Sequence, residues 1–169
     1  MVNPVIRPET PSDVTAIHTL TVAAFLRAPH TDHTEQFILA ALRSAGALTV
    51  SLVAELSGGI IGHVAASPVS VSDGSRGWYG LGPISVGPKF QRQGVGGLLM
   101  HAAIRALRNI GAEGCVLLGD PTYYARFGFK HESALVLPDV PAEYFQALLF
   151  GSVLPCGVVS YHEAFRAQG

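Results

Sequence analysis

The stretch Ile84-Ser85-Val86-Gly87-Pro88-Lys89-Phe90-Gln91-Arg92-Gln93-Gly94-Val95-Gly96-Gly97 constrains this chain more than any other. It reads as a strand that runs into a glycine-rich loop and then directly into a helix. Leu99, Met100, Ala103, Leu107 and Ile110 supply an apolar stripe at helical spacing, and Gly111 stops the helix. Glycines at 94, 96 and 97 let backbone N–H groups point at one spot, at the positive end of that helix. Such a spot is an anion site suited to phosphate or pyrophosphate. Lys89 and Arg92 add charge beside it. An ordinary turn that uses glycine is the plain alternative. Two familiar phosphate loops do not fit. A P-loop ends in Gly-Lys-Ser/Thr, whereas Gly96-Gly97 is followed by Leu98. A dinucleotide fingerprint needs a third glycine three positions after Gly96, where Leu99 stands.

Around this unit the chain alternates helical and strand patterns. Residues 5–7 form a short strand. Thr10 and Pro11 then open a helix that carries Val14, Ile17, Leu20, Ala24 and Phe25 on one face. A histidine-rich loop, 30–33, leads to a second helix near 34–45 with Phe37, Ile38, Ala41 and Leu42 as its apolar side, ended by Gly46. Residues 48–56 and 60–71 are strands joined through Ser57-Gly58-Gly59, a hairpin signal. Asp73-Gly74 turns the chain into a strand over 78–86. Gly80, Gly82 and Pro83 inside it predict a bulge, or a place where something else approaches the backbone. Past the central helix come a short apolar strand at 115–118 and a very short helix opened by Asp120-Pro121 and closed by Gly128. Residue 129 onward and 157–161 read as two closing strands, with a proline-interrupted, partly helical segment between them. The order predicts an α/β fold: a single mixed, mostly antiparallel sheet flanked by helices, in one domain over 1–169.

Composition excludes several classes. A length of 169 residues suits one domain, with 49% hydrophobic and 14% charged residues, far from the disordered range. A net charge of −1 and a pI near 6.6 give no basic footprint, so no nucleic-acid partner is expected. No apolar run reaches the ~18 residues of a membrane span, and no signal pattern opens the chain. Cys115 and Cys156 lack zinc or redox spacing, so buried free thiols in a cytoplasmic protein are expected, with no metal. His30 and His33 lack a carboxylate or cysteine pattern beside them that would make a metal site.

The loop Gln91-Arg92-Gln93-Gly94-Val95-Gly96 follows the pattern Gln/Arg-x-x-Gly-x-Gly/Ala. In this, and in Ile84-x-Val86-x-Pro88 before it and Tyr123-Tyr124-Ala125-Arg126-Phe127-Gly128-Phe129 after it, the chain resembles the GNAT superfamily of acetyl-CoA-dependent N-acetyltransferases. Trp78-Tyr79-Gly80-Leu81-Gly82-Pro83 together with Leu118-Gly119-Asp120-Pro121-Thr122-Tyr123-Tyr124 is similar to its YhbS-like branch. The resemblance implies a GNAT-like fold and acetyl transfer from acetyl-CoA to a primary amine, by direct attack with both substrates bound. The acceptor would be a small molecule or a peptide amine, and the protein could act alone or as a homodimer.

The resemblance also implies roles by residue. Backbone N–H groups from Arg92 through Gln93, Gly94, Val95 and Gly96 to Gly97 would bind the CoA pyrophosphate, in the motif that Gln91 opens. The pantetheine arm would lie along Ile84, Ser85 and Val86 like an added strand, and an N–H near Val86 would polarise the acetyl carbonyl. Tyr124, four residues before Gly128, would be the general acid, since a phenol keeps its proton at neutral pH; a core tyrosine is the plain alternative. Tyr123 reads as a core residue and Asp120 as a helix cap. Relatives often place a glutamate or histidine base on the strand before the loop, but 78–86 contains neither. His63, one strand earlier, is the best substitute, with Glu55 behind it. His30, Asp32 and His33 stand where relatives shape the acceptor pocket. Cys115 has no activating neighbour for a covalent route. The rival reading is a non-catalytic acyl-CoA-binding or regulatory module, which the missing strand base favours and Tyr124 opposes.

Overall fold

The structure, a computed structural model, describes residues 2–169. Strand β1 (Val5–Pro8) is followed by a 3-10 turn at Pro11–Asp13 and helix α1 (Val14–Phe25). Asp13 accepts a hydrogen bond from the Thr10 N–H at 2.7 Å, part of the capping box that opens the 3-10 turn leading into α1, so the α-helix proper starts later than Thr10-Pro11 predicted. Helix α2 (Glu35–Ser44) buries Ile38, Leu39 and Leu42 and ends at Ala45, before Gly46 at φ +67°. Strands β2 (Val50–Leu56) and β3 (Gly59–Val71) form the expected hairpin, with Ser57 and Gly58 both at positive φ. Strand β4 (Trp78–Val86), helix α3 (Val95–Asn109), strand β5 (Gly114–Leu118) and helix α4 (Pro121–Tyr124) come next. Short β6 (Leu135–Val136), β7 (Phe145–Leu149) and β8 (Gly157–Tyr161) complete the chain.

The main sheet runs β1-β2-β3-β4-β5-β7, with β8 pairing the far end of β3 and also β6. Along this path the pairs are antiparallel except β4–β5, which are parallel because α3 carries the chain back across one face between them; off it, the short β6–β8 pair is parallel too. Leu99, Met100, Ala103 and Leu107 of α3 are fully buried against Val64, Ala66 and Leu117 on that face. Each of the leucine and methionine side chains contributes about 1.5–3 kcal/mol through burial. Helices α1 and α2 cover the opposite face, where Ile17 and Leu39 meet Val53 and Ala65.

Four details depart from the sequence reading. Ile110 is 54% exposed rather than part of the stripe, since it caps the last turn of α3 after the face has rotated away. Residue 129 starts no strand; Lys130 makes only an isolated bridge to Ala147. The strand that pairs with β5 is instead β7, inside the segment read as irregular, and its buried Gln146 conceals the apolar pattern. Both cysteines are free, but Cys156 is exposed, in the loop before β8.

Candidate active site

Strands β4 and β5 stay paired only over three positions, Trp78↔Gly114, Tyr79↔Cys115 and Gly80↔Val116. Beyond them β4 bulges: Val64 and Ala66 on β3 oppose Ile84 and Leu81, so three steps on β4 match two on its neighbour. The extra residue lies at Gly82-Pro83, as those residues predicted. The C-terminal half of β4 therefore pairs with β3 on one side and has no β5 partner on the other.

The glycine loop starts where that unpaired half ends. Gln91 donates from Nε2 to the Val86 carbonyl at 3.1 Å, and Gln93 donates to the Lys89 carbonyl at 2.9 Å, so both amides brace the loop. Arg92 at φ +61° and Gly94 at φ +87° turn the chain into α3. The Leu98 N–H bonds back to the Gly94 carbonyl. The N–H groups of Val95, Gly96 and Gly97 precede that first helical bond and have no partner within the helix.

They open on a cavity of about 500 Å³ whose lining includes Val86, Gln91, Arg92, Gly94, Gly96, Gly97, His101, Tyr123, Arg126 and Phe127. Two arginines and no acid face it. Arg126 is held by a 2.9 Å bond from Nε to the Tyr123 carbonyl and lies 4.4 Å over the Tyr123 ring. A Cβ on Gly96 would come 3.2 Å from the Tyr123 hydroxyl, so only glycine leaves the floor of the cavity open. Val95 turns inward to the core, Gln93 does not line the cavity, and Lys89 borders a separate surface hollow beside α1. Ile84 packs on the core, and Ser85 is buried on the other face. Sequence reasoning treated Tyr123 as core and passed over His101, Arg126 and Phe127; the Tyr-Tyr pair beside an arginine was the available signal.

Tyr124 leaves the cavity lining to its neighbour. Its ring lies on Gly119, where no side chain would fit, and meets Tyr123 and Phe129 edge-on at 4.9 and 6.3 Å. Burial first, then Tyr123 and Asp120, pushes its pKa up to about 12, so the phenol holds its proton firmly at neutral pH. Asp120 caps α4 by accepting from the Thr122 N–H at 2.9 Å. It also borders a second cavity, of about 750 Å³, with Pro29, His30, Leu118, Val140, Pro141 and Tyr144. Of the histidine-rich loop only His30 reaches this cavity; His33 borders a small hollow beside Phe25, and Asp32 faces solvent.

His63 is fully buried on the α1–α2 face. Its Nε2 lies 2.7 Å from Ser51 Oγ and 3.8 Å from Glu9 Oε1, while Nδ1 has no partner. Glu9 also accepts from Arg43 at 2.9 and 3.0 Å. Glu55, on β2, is tied to Arg7 of the edge strand β1 at 2.6 Å.

Residues 48–131 match the acetyltransferase (GNAT) domain family. The chain is 34% identical over 168 residues to the N-acetyltransferase YhbS of Escherichia coli K12, an alignment that covers 95% of this chain and 98% of that one. The chain belongs to the GNAT acetyltransferase family. As a member it is an acetyltransferase enzyme, on the open mixed sheet that the sequence led us to expect. A GNAT family acetyltransferase from Brucella melitensis, solved in complex with acetyl-CoA, superposes with a TM-score of 0.86 at 47% identity over 96% of this chain and 98% of that one. Escherichia coli YhbS in complex with CoA superposes at 0.85 with 32% identity, over 100% and 95%. Both support the YhbS-like branch. Among the described residues no helix is long and apolar enough to cross a membrane.

Proposed function

We propose that this GNAT enzyme, one domain over 1–169, is an N-acetyltransferase that moves the acetyl group of acetyl-CoA to a primary amine by direct attack with both substrates bound. The observation that carries this reading is the convergence of free helix N–H groups, Arg92 and Arg126 on one cavity at the end of an unpaired strand edge. Backbone groups of Arg92 through Gly97 hold the pyrophosphate, helped by both guanidiniums. The open edge of Ile84, Ser85 and Val86 takes the pantetheine arm as an added strand. Bound acetyl-CoA supplies an activated acetyl thioester. An N–H near Val86 polarises its carbonyl. Tyr124, which burial keeps protonated at neutral pH, gives its proton to the departing sulfur. His63 serves as the base.

The acceptor enters the second cavity, whose single formal charge is Asp120, a setting that favours a cationic small molecule or peptide amine. The free thiols of Cys115 and Cys156 support a reducing, cytoplasmic setting. The test is a screen of diverse amines with acetyl-CoA, with free thiol as the readout. Amine-dependent thiol release establishes transfer. Cofactor binding without any amine-dependent release would make this a binding or regulatory module instead, the reading favoured by the lack of a strand base over Trp78–Val86.

A further inference from the structure

The polar groups on the α1–α2 face form a hydrogen-bonded line from Arg43 and Glu9 through Ser51 to His63 on β3, where it ends one strand short of β4. Glu9, half covered at the end of β1, accepts from both Arg43 and the Ser51 hydroxyl. Burial alone would raise the Glu9 pKa, but its contacts with His63, Arg43 and Ser51 outweigh that and hold it down to about 2. The carboxylate is therefore an acceptor only. Ser51 has one proton, and it points at Glu9, so the 2.7 Å contact with His63 Nε2 requires the proton on Nε2. In the neutral form of His63 this leaves a bare lone pair at Nδ1, and that atom is buried without a partner.

Ser85 is the cross-strand neighbour of His63, on the same face of the sheet. Its Oγ is the matching orphan: buried, and without a partner of its own. A buried unmade hydrogen bond costs about 1–3 kcal/mol, and here a bare acceptor and a free hydroxyl belong to neighbouring residues on adjacent strands, with no bond yet joining them. Ser85 is also one of three residues along which the pantetheine arm is proposed to lie; it borders neither cavity, so the acceptor amine reaches it beyond the second cavity, beside that arm.

We propose that Ser85 is the relay that connects the fully buried His63 to the amine, with Glu9, Arg43 and Ser51 as positioning residues that set the His63 tautomer. The ammonium of the acceptor loses a proton to Ser85 Oγ as the Ser85 proton passes to His63 Nδ1. The amine is left with its lone pair, Ser85 keeps one proton, and His63 becomes an imidazolium facing the Glu9 carboxylate. After product leaves, that proton returns through Ser85 to water. The charged groups around His63 are few. Arg43 of α2 and Glu9 neutralise each other, β2 adds Val53, α1 and α2 cover the face with Ile17 and Leu39, and Arg7, Asp13 and Glu55 form their own cluster further along. This relay rests on the transferase reading above, and its tests separate the two.

The first test needs no acceptor. Long-range proton–nitrogen NMR on histidine-labelled protein, with His63 assigned by loss of its signals in His63→Gln, should show the proton on Nε2 and a bare Nδ1. Ser85→Ala should shift the Nδ1 resonance, and Glu9→Gln should disturb the tautomer. A proton on Nδ1, or an Nδ1 signal indifferent to Ser85→Ala, overturns the relay. The second test uses the fastest amine of the screen. Ser85→Ala and His63→Gln should each lower kcat/KM for the amine by about 10²-fold and flatten the acid limb of its pH profile. KM for acetyl-CoA should stay unchanged, and the double variant should be no slower than either single one. Additive losses, or an acid limb intact in Ser85→Ala, overturn the proposal. If no amine supports turnover, the transferase reading fails while the NMR result still decides the network.

Discussion

The two cavities that meet near α4 are built in opposite ways. The first is lined by residues between Val86 and Phe127, nearly all from one strand–loop–helix unit and the short helix after β5. The second draws on three separated stretches: Pro29 and His30, Leu118 to Asp120, and Val140 to Tyr144. The first offers backbone N–H groups and guanidiniums, groups that suit phosphate whatever surrounds them. The second offers side chains on loops, where each substitution alters the shape and charge of the pocket. A shared cofactor can be held by local geometry, whereas an individual acceptor needs a pocket assembled from distant parts.

The sharpest way to break this comparison lies between the cavities, at Tyr124. Tyr124→Phe keeps the ring on Gly119 and removes only the proton donor. We expect kcat to fall by about 10²–10⁴ with little change in cofactor affinity, as read by turnover beside calorimetry. Turnover within about threefold of the parent would remove Tyr124 from the chemistry. Gly96→Val comes next, because its side chain would press on the Tyr123 hydroxyl. The parent protein should gain about 2.7 kcal/mol of stability when acetyl-CoA is present at a hundredfold excess over Kd, and the variant should gain none while remaining folded. A folded variant with the full thermal shift would move the cofactor elsewhere.

Arg126→Ala tests the charge in the first cavity alone. Loss of a charge-assisted bond to phosphate should weaken CoA by roughly tenfold and flatten the salt dependence of binding. The acceptor KM should not move. Asp120→Asn is the matching test of the second cavity, since asparagine caps a helix as well as aspartate does. The acceptor KM should rise by about threefold to tenfold for a cationic amine, with cofactor binding intact. If Asp120→Asn weakens CoA instead, the two cavities are not separate in function.

The smallest effect lies outside both. Glu9 is held below its ordinary carboxylate range, so it stabilises the fold at neutral pH and that contribution fades as pH falls from about 4.5 toward 2. Glu9→Gln should therefore lower stability at pH 7 more than at pH 3, as seen in thermal melts at both values.

Local patterns carried most of the fold. The hairpin at Ser57-Gly58, the cap at Thr10 and the α3 stripe each follow from neighbouring residues, and all formed within a residue or two of the expected place. The bulge at Gly82-Pro83 was legible for the same reason. Strand β7 was not, because Pro138 and Pro141 obscure its start and Gln146 interrupts its apolar run. That glutamine is buried because its Nε2 donates to the Gly119 carbonyl at 3.0 Å, a partner 27 residues away along the chain.

What the sequence determined by itself is the strand–loop–helix unit: glycines where the backbone must turn, a helix start behind them, and a tyrosine at a set distance from Gly128. These depend on φ preferences and helical geometry, which act over a few residues. Only the tertiary structure decided the rest. It laid β4 against β3 so that Ser85 neighbours His63, brought Glu9 and Arg43 together beside them, put Tyr123 and Arg126 in the lining of the loop's cavity, and brought Asp120 and His30 into the lining of the second one. Those placements come from burying two sheet faces at once, and burial favours whichever packing removes the most apolar surface from water, without regard to distance along the chain.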